Sequence, residues 1–121
     1  MKQFTHFLLI VSLLMACHDK DIGCDQGEGN SFQVDDQEGV VFVDERFGKM
    51  IVTYHVEGTI DSFSTFVLCN PPKDWKLEEG DRKDVVFSGQ AQALKERYIP
   101  SVVIGGESFF VIFLDEIKLT E

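Results

Sequence analysis

The stretch DVVFSGQA, residues 84–91, carries the clearest alternation of apolar and polar side chains in the sequence. Alternation with a period of two predicts a β-strand, because successive side chains point to opposite faces of a sheet. The predicted inward face consists of Val85, Phe87, Gly89 and Ala91. A glycine in the middle of that face indicates a bulge or a barrel corner, where two backbones approach closely.

Segments on both sides of this stretch also predict strands. Residues 49–56 (KMIVTYHV) are rich in β-branched and aromatic side chains, which fit a pleated, half-buried surface. Asn70-Pro71-Pro72 ends a further apolar run, since proline cannot donate to a central ladder. Residues 44–48 (DERFG) predict the turn of a hairpin. The predicted strands are residues 40–43, 49–56, 63–68, 84–91, 102–104 and 108–119.

Several short strands, one of them interrupted by glycine, predict an all-β fold. A small OB-like barrel of about five to seven short strands fits best. The long connection in the middle of the chain and the Gly80-Asp81 turn before the central strand favour it. An immunoglobulin-like β-sandwich is the alternative, although Trp75 follows Cys69 in a predicted loop, unlike the core tryptophan of such sandwiches.

The N-terminus carries a short apolar run, FLLIVSLLMA, at residues 7–16. A membrane-spanning helix needs roughly 20 apolar residues, so a run of this length is typical of a secretory signal instead. It ends at Leu14-Met15-Ala16-Cys17, which resembles the lipobox of bacterial lipoproteins. That resemblance implies a signal peptide over residues 1–16 and a lipid-anchored, acylated (palmitate-bearing) Cys17. The alternatives are an ordinary secretory signal or a buried strand that contains Cys17.

The remaining cysteines bear on the compartment. Residues 17–38 are polar and rich in Gly and Asp, which predicts a flexible tether, followed by a single β-domain over residues 39–121. Export places Cys24 and Cys69 in an oxidising compartment, where an even pair favours one disulfide. Two independent thiols are the alternative.

Charge and motifs exclude several classes of function. The net charge of −10 argues against a nucleic-acid partner, because phosphates require a basic footprint. No nucleophile elbow, zinc-binding helix or phosphate loop occurs, and a small domain hardly provides the deep cleft of a glycosidase. His55 is interpreted as a half-exposed strand residue, and the acidic turns as solvated rather than calcium-binding. The sequence therefore predicts no enzyme activity, no cofactor and no metal.

Residues 66–94 carry a further resemblance. Cys69-Asn70-Pro71-Pro72 and Val85-Val86-Phe87-Ser88-Gly89 resemble segments of small Bacteroidota lipoproteins of uncharacterised function. The resemblance implies a lipid-anchored protein of the cell envelope, at the outer membrane, either on its periplasmic face or on the cell surface. It implies no reaction.

These features predict a membrane-anchored lipoprotein whose non-catalytic β-domain is a binding or interaction module for a protein or glycan. Trp75 is the candidate partner contact, because exposed aromatic side chains anchor partners; otherwise it folds back as a lid on the barrel. One alternative is an acidic inhibitor or immunity-type protein that blocks a cationic enzyme. Another is an accessory structural subunit of an envelope complex.

Overall fold

The computed structural model describes residues 22–120, so the predicted signal peptide and Cys17 lie outside the described residues. The described part contains five strands and one short 3-10 helix. They are β1 (Gly27–Asp44), β2 (Lys49–His55), β3 (Ser62–Leu68), β4 (Lys83–Leu94), the 3-10 helix (Glu96–Tyr98) and β5 (Gly106–Leu119).

The strands form one closed barrel in the order β1-β2-β3-β5-β4, with β4 pairing back onto β1. The β3–β5 pair is parallel, and the other four pairs are antiparallel. This is the arrangement of a small OB-like barrel, so the predicted fold class is confirmed. The sandwich alternative is wrong, because a sandwich keeps two separate sheets whereas this sheet closes on itself.

The barrel interior is filled by the inward faces of all five strands. The predicted inward face of β4 is confirmed, since Val85, Phe87, Gly89 and Ala91 are all buried. A side chain at position 89 would place its Cβ 2.3 Å from the Phe113 carbonyl oxygen, so only glycine allows β4 and β5 to approach. The register shifts at this point, as expected for a bulge. The buried interior residues are Val34, Val41, Val52, Phe66, Leu68, Val85, Phe87, Ala91, Ile112 and Leu114.

The tether predicted over residues 17–38 is wrong from Ile22 onward, because Ile22 is buried and Cys24 forms a disulfide. β1 begins at Gly27 and pairs along β4, so the β-domain predicted over residues 39–121 begins earlier than residue 39. Two register shifts, between Glu28 and Phe32 and between Val34 and Gln37, break the alternation along this half of β1. Val34 is its only fully buried side chain. Because this half of β1 is exposed and bulged, its residues are polar and do not alternate, so the sequence resembles a loop and predicts a tether.

The strand predicted over residues 102–104 is also wrong. These residues belong to the connection between the 3-10 helix and β5, which begins at Gly106, opposite the first residue of β3. They pair with no strand of the described chain, and their side chains are exposed.

A second apolar cluster lies on the outer surface of the barrel. It is covered by three segments, residues 22–26, 45–48 and 95–105, which together are called the outer layer here. The buried members of this outer cluster are Ile22, Ile51, Val67, Leu94, Phe109 and Val111, with Phe42, Phe47, Cys69 and Tyr98 packed against them. The outward face of β2 and β3 is therefore buried too, under non-strand chain.

Candidate binding surface on the outer layer

A disulfide attaches the outer layer to the barrel. Cys24 and Cys69 are joined, with Cα atoms 5.0 Å apart, so the N-terminal segment is attached to the end of β3. The Cys69 N–H also donates to the Ile112 carbonyl at 3.1 Å, which holds this end of β3 against β5. Ile22, two residues before the disulfide, is buried in the outer cluster.

An ionic network centred on Arg46, in the turn between β1 and β2, also holds the outer layer in place. Its guanidinium donates to the Asp44 carboxylate at 2.7 Å and to both Glu107 oxygens at 2.7 and 2.8 Å. It also donates to the Val102 carbonyl at 3.0 Å. Glu107 accepts further hydrogen bonds from the Thr65 hydroxyl and the Ile104 N–H. The network thus ties the β1–β2 turn, β3 and the 95–105 segment together.

Burial and pairing set the ionisation of this network. The Glu107 side chain is 0% exposed, and burial alone raises its pKa. Hydrogen bonds from Arg46, Thr65 and the Ile104 N–H outweigh burial, so its pKa lies below the ordinary value of 4.5. The hydrogen bonds with Glu107 and Asp44 raise the pKa of Arg46 above its ordinary value. Removing one partner of such a pair leaves a buried charge, which costs about 3–5 kcal/mol.

A pocket of about 630 Å³ opens between the three segments of the outer layer. Arg97 lies over the Tyr98 ring, with 5.0 Å between its guanidinium carbon and the ring centroid. The same guanidinium donates to Gln26 Oε1 at 3.4 Å. Aromatic and aliphatic walls with a few polar groups are the usual composition of a ligand pocket. The lining residues are Ile22, Arg46, Phe47, Arg97, Tyr98, Ile99, Pro100, Ser101 and Val102.

The rim of this pocket is unusually apolar for an exposed loop. Val102 and Ile104 are 64% and 57% exposed, and Ile99 and Val103 are also open to solvent. Residues 99–106 (IPSVVIGG) contain no charged side chain. These four aliphatic residues, Ile99, Val102, Val103 and Ile104, are called the aliphatic loop.

A second pocket, of about 910 Å³, lies beside the ends of β2 and β3 and is more polar. It contains His55, which is exposed and whose Nε2 lies 3.1 Å from the Ile60 carbonyl oxygen. Glu38, Glu57, Arg82 and Asp84 also line it. Among the described residues, the hydrogen-bond partner of His55 is a backbone carbonyl and not a nucleophilic side chain.

Of the predicted site residues, the structure joins Cys24 and Cys69 in the predicted disulfide, and Trp75 lies in a different segment. Trp75 is half-buried in the β3–β4 connection and packs against the barrel interior together with Leu77. That position matches the lid interpretation of Trp75 rather than an exposed anchor, and its part in partner contact stays a prediction. Cys17 lies outside the described residues.

Acidic side chains concentrate on another part of the barrel. Gln33 Nε2 donates both to Asp35 at 3.2 Å and to Asp115 at 3.3 Å, so two carboxylates lie on either side of one amide. Asp36, in the bulge of β1, donates its N–H to the Ser88 hydroxyl at 2.9 Å. Asp35, Asp36, Asp115 and the neighbouring Glu116 are all exposed, and they are called the acidic patch.

Sequence reasoning missed the Arg46–Glu107 pair, which spans 61 residues and has no local signature. It also missed Arg97 and Tyr98, because they lie in a segment without periodicity. The one available signal was the uncharged run at residues 99–106, which was interpreted as a strand and a turn.

Within residues 22–120, no group of three His, Cys, Asp or Glu side chains is arranged to hold a metal ion. No helix in the same range is long and apolar enough to span a bilayer. Neither the protein-family models nor the curated proteins compared with the chain give a match.

Proposed function

We propose that this chain is a lipid-anchored, non-catalytic binding module of the bacterial cell envelope. The observation that carries the proposal is the pocket of the outer layer, built from the β1–β2 turn and the β4–β5 connection over the outward face of β2 and β3. Barrels of this strand order bind their ligands between these two loops and on this face. The lipobox-like Cys17 supplies the anchor.

The chemistry of the pocket indicates the class of ligand. Tyr98 and Phe47 provide aromatic surface, and Arg97 adds a cationic group over the Tyr98 ring. Such surfaces suit an extended peptide or a glycan, which are bound by aromatic contacts and a few hydrogen bonds. The guanidinium of Arg46 is engaged by two carboxylates and a carbonyl, so its role is to hold the walls of the pocket.

The test is affinity capture from the native envelope, with residues 18–121 carrying a tag in place of the lipid. A Tyr98→Ala, Arg97→Ala double variant is compared with Glu116→Ala, which alters the acidic patch. The proposal expects one stoichiometric partner, or one class of glycan, that binds the wild type and the Glu116 variant but not the pocket variant. Equal capture by all three proteins would contradict the pocket as the binding site.

A second candidate is an acidic inhibitor of a cationic enzyme, and the acidic patch favours it. Exposed carboxylates concentrated on one surface speed association with a basic partner, and that attraction is screened by salt. This candidate predicts the reverse pattern in the same experiment. Capture would be lost at high salt and in a Asp35→Asn, Asp115→Asn variant, and retained by the pocket variant.

A further inference from the structure

Only a short length of chain separates the proposed anchor from the barrel. Ile22 is buried in the outer cluster, and the disulfide at Cys24 fixes the segment that follows it. Cys17 precedes Ile22 by five residues. Even a fully extended chain of that length spans at most about 18 Å. An acylated Cys17 therefore holds the side of the barrel that carries Ile22 close to the bilayer.

The aliphatic loop lies on the same side of the barrel as Ile22. Ile22 shares the pocket of the outer layer with Ile99 and Val102, so the aliphatic loop lies beside the point where the chain leaves for the membrane. Val102, Val103 and Ile104 are 64%, 47% and 57% exposed. Contiguous exposed aliphatic side chains mark an interaction surface, and here the nearest large apolar phase is the bilayer.

The aliphatic loop and the acidic patch differ in charge. The aliphatic loop contains no charged residue, and Lys95, Glu96 and Arg97 precede it. Basic side chains beside an apolar loop suit the headgroup region of a bilayer, which is anionic in many membranes. The carboxylates of the acidic patch lie elsewhere: Asp115 is nine residues beyond Gly106 on β5, roughly 30 Å along the strand. The acidic patch is thus away from the loop. The carboxylates that lie nearer have basic neighbours, since Glu45, Glu79 and Asp81 line a pocket together with Ile104, Arg46 and Arg82.

Hydrogen bonds hold the backbone of the aliphatic loop in place. Arg46 donates to the Val102 carbonyl at 3.0 Å, and the Ile104 N–H donates to Glu107 at 3.3 Å. The backbone of the loop is therefore held in place, while 38–64% of each of its aliphatic residues is exposed to solvent. A preformed loop loses less conformational entropy when it enters an interface than a flexible one does.

We propose that Val103 and Ile104, the part of the aliphatic loop that does not line the pocket of the outer layer, dock into the interfacial region of the bilayer that holds the anchor, with the acidic patch toward the other end of β5. This orientation rests on the acylation of Cys17 proposed above. The loop adds a second contact to the acyl chains, and two contacts fix the orientation of a domain that one anchor leaves free to rotate.

The test uses the full chain, processed and acylated in a bacterial host and reconstituted into vesicles of phosphatidylethanolamine and phosphatidylglycerol with brominated acyl chains. In a Trp75→Phe background, Val103→Trp is compared with Leu119→Trp. Val103 and Leu119 are 47% and 53% exposed, and Leu119 is the last residue of β5, the strand that begins just after the aliphatic loop. Bromine should quench the tryptophan at position 103 at least about threefold more strongly than the one at position 119.

The outcomes separate the two proposals. Acyl mass on Cys17 together with equal or absent quenching at positions 103 and 119 overturns the docking and leaves the anchor intact. No acyl mass on Cys17 overturns the anchor and the docking with it. A Cys17→Ser chain that is dimeric in solution, and monomeric once Val103→Glu is added, shows that a second copy covers the loop, which also overturns the docking. Matching thermal unfolding of both tryptophan variants confirms that they fold alike.

Discussion

The barrel interior and the outer layer are both apolar, but different kinds of contact hold them. The interior is formed by five strands, and each strand is hydrogen-bonded to a neighbour on both sides. The backbone that carries the buried side chains is therefore held along its whole length. The outer layer is irregular chain held by the Cys24–Cys69 disulfide, the ionic network around Arg46 and a few hydrogen bonds, such as that from the Lys95 N–H to the Gln26 carbonyl at 3.1 Å. A region held at few points opens locally with less free energy than a region held by a closed sheet. We therefore expect the outer layer to open before the barrel interior does.

The largest expected effect comes from the interior. Phe87→Ala removes a fully buried ring that packs against Phe66, with ring centroids 5.5 Å apart. The loss of buried surface and the cavity left behind should lower the free energy of unfolding by about 3–5 kcal/mol. Urea unfolding followed by circular dichroism measures this. Phe113→Ala on the same barrel, where the ring is 51% exposed, is the control and should change stability by less than about 1 kcal/mol. Similar losses in the two variants would mean that the interior is not the main source of stability.

The disulfide ranks next. In a Cys17→Ser background, replacing Cys24 and Cys69 by serine opens a loop with a sequence separation of 45. The chain-entropy model values that closure at about 4 kcal/mol at most, and native strain usually reduces it. Hydrogen exchange should show faster exchange at residues 22–26 and 95–105 than in the oxidised protein, with the β4–β5 amides still protected. Uniform acceleration across all five strands would contradict the separation of interior and outer layer.

The ionic network gives a smaller and more local effect. Arg46→Met leaves Asp44 and Glu107 without their counter-ion, which should lower the free energy of unfolding by about 3 kcal/mol. The Ile104 amide should exchange faster, because the 95–105 segment loses its hydrogen bond to Arg46. Arg82→Met is the matched control. The Arg82 guanidinium carbon lies 4.3 Å from the Phe42 ring centroid, a contact worth about 1 kcal/mol or less at an exposed site.

The pH dependence is the finest of these tests. The pKa of Glu107 is lower in the folded protein than its ordinary value of 4.5, so its contribution to stability is fully present above pH 4.5. That contribution is lost as the pH falls below 4.5 through the folded pKa. The Glu107→Gln variant should therefore lose less stability than the wild type between pH 6 and pH 3, measured by urea unfolding.

Glu45 acts in the opposite direction and has to be held constant in that comparison. Its hydrogen bond with Glu79 and the repulsion between the two carboxylates raise the pKa of Glu45 above 4.5. Its contribution favours the folded state at low pH and weakens as the pH rises. Both proteins carry Glu45, so the difference between their curves isolates Glu107. Parallel curves would show that the pKa of Glu107 is not lowered by folding.

Sequence and structure agree where local periodicity and tertiary packing impose the same face. Residues 84–91 alternate because one face fills the barrel, and Gly89 is required where β4 meets β5. They disagree where partners distant in the sequence decide. The first half of β1 is polar and bulged, and only its pairing with β4 makes it a strand. Residues 102–104 have strand-forming side chains but pair with no strand within residues 22–120.

The candidate site was less predictable than the fold, for the same reason. The pocket is formed by three segments that no periodicity links, and Arg46 meets Glu107 across 61 residues. Charged residues that form buried pairs cannot be told from solvated ones by composition alone. The cysteines were an exception, because export and an even number of thiols favoured a bridge between Cys24 and Cys69, and the structure contains that bridge.

Both proposals depend on the acylation of Cys17, so the most direct measurement is the intact mass of the protein extracted from its own membranes without reductant. The account predicts a chain cleaved before Cys17, with the added mass of two or three acyl chains and two hydrogens fewer than the fully reduced form. A chain that still carries residues 1–16, or one that begins at Cys17 without acyl mass, would contradict it.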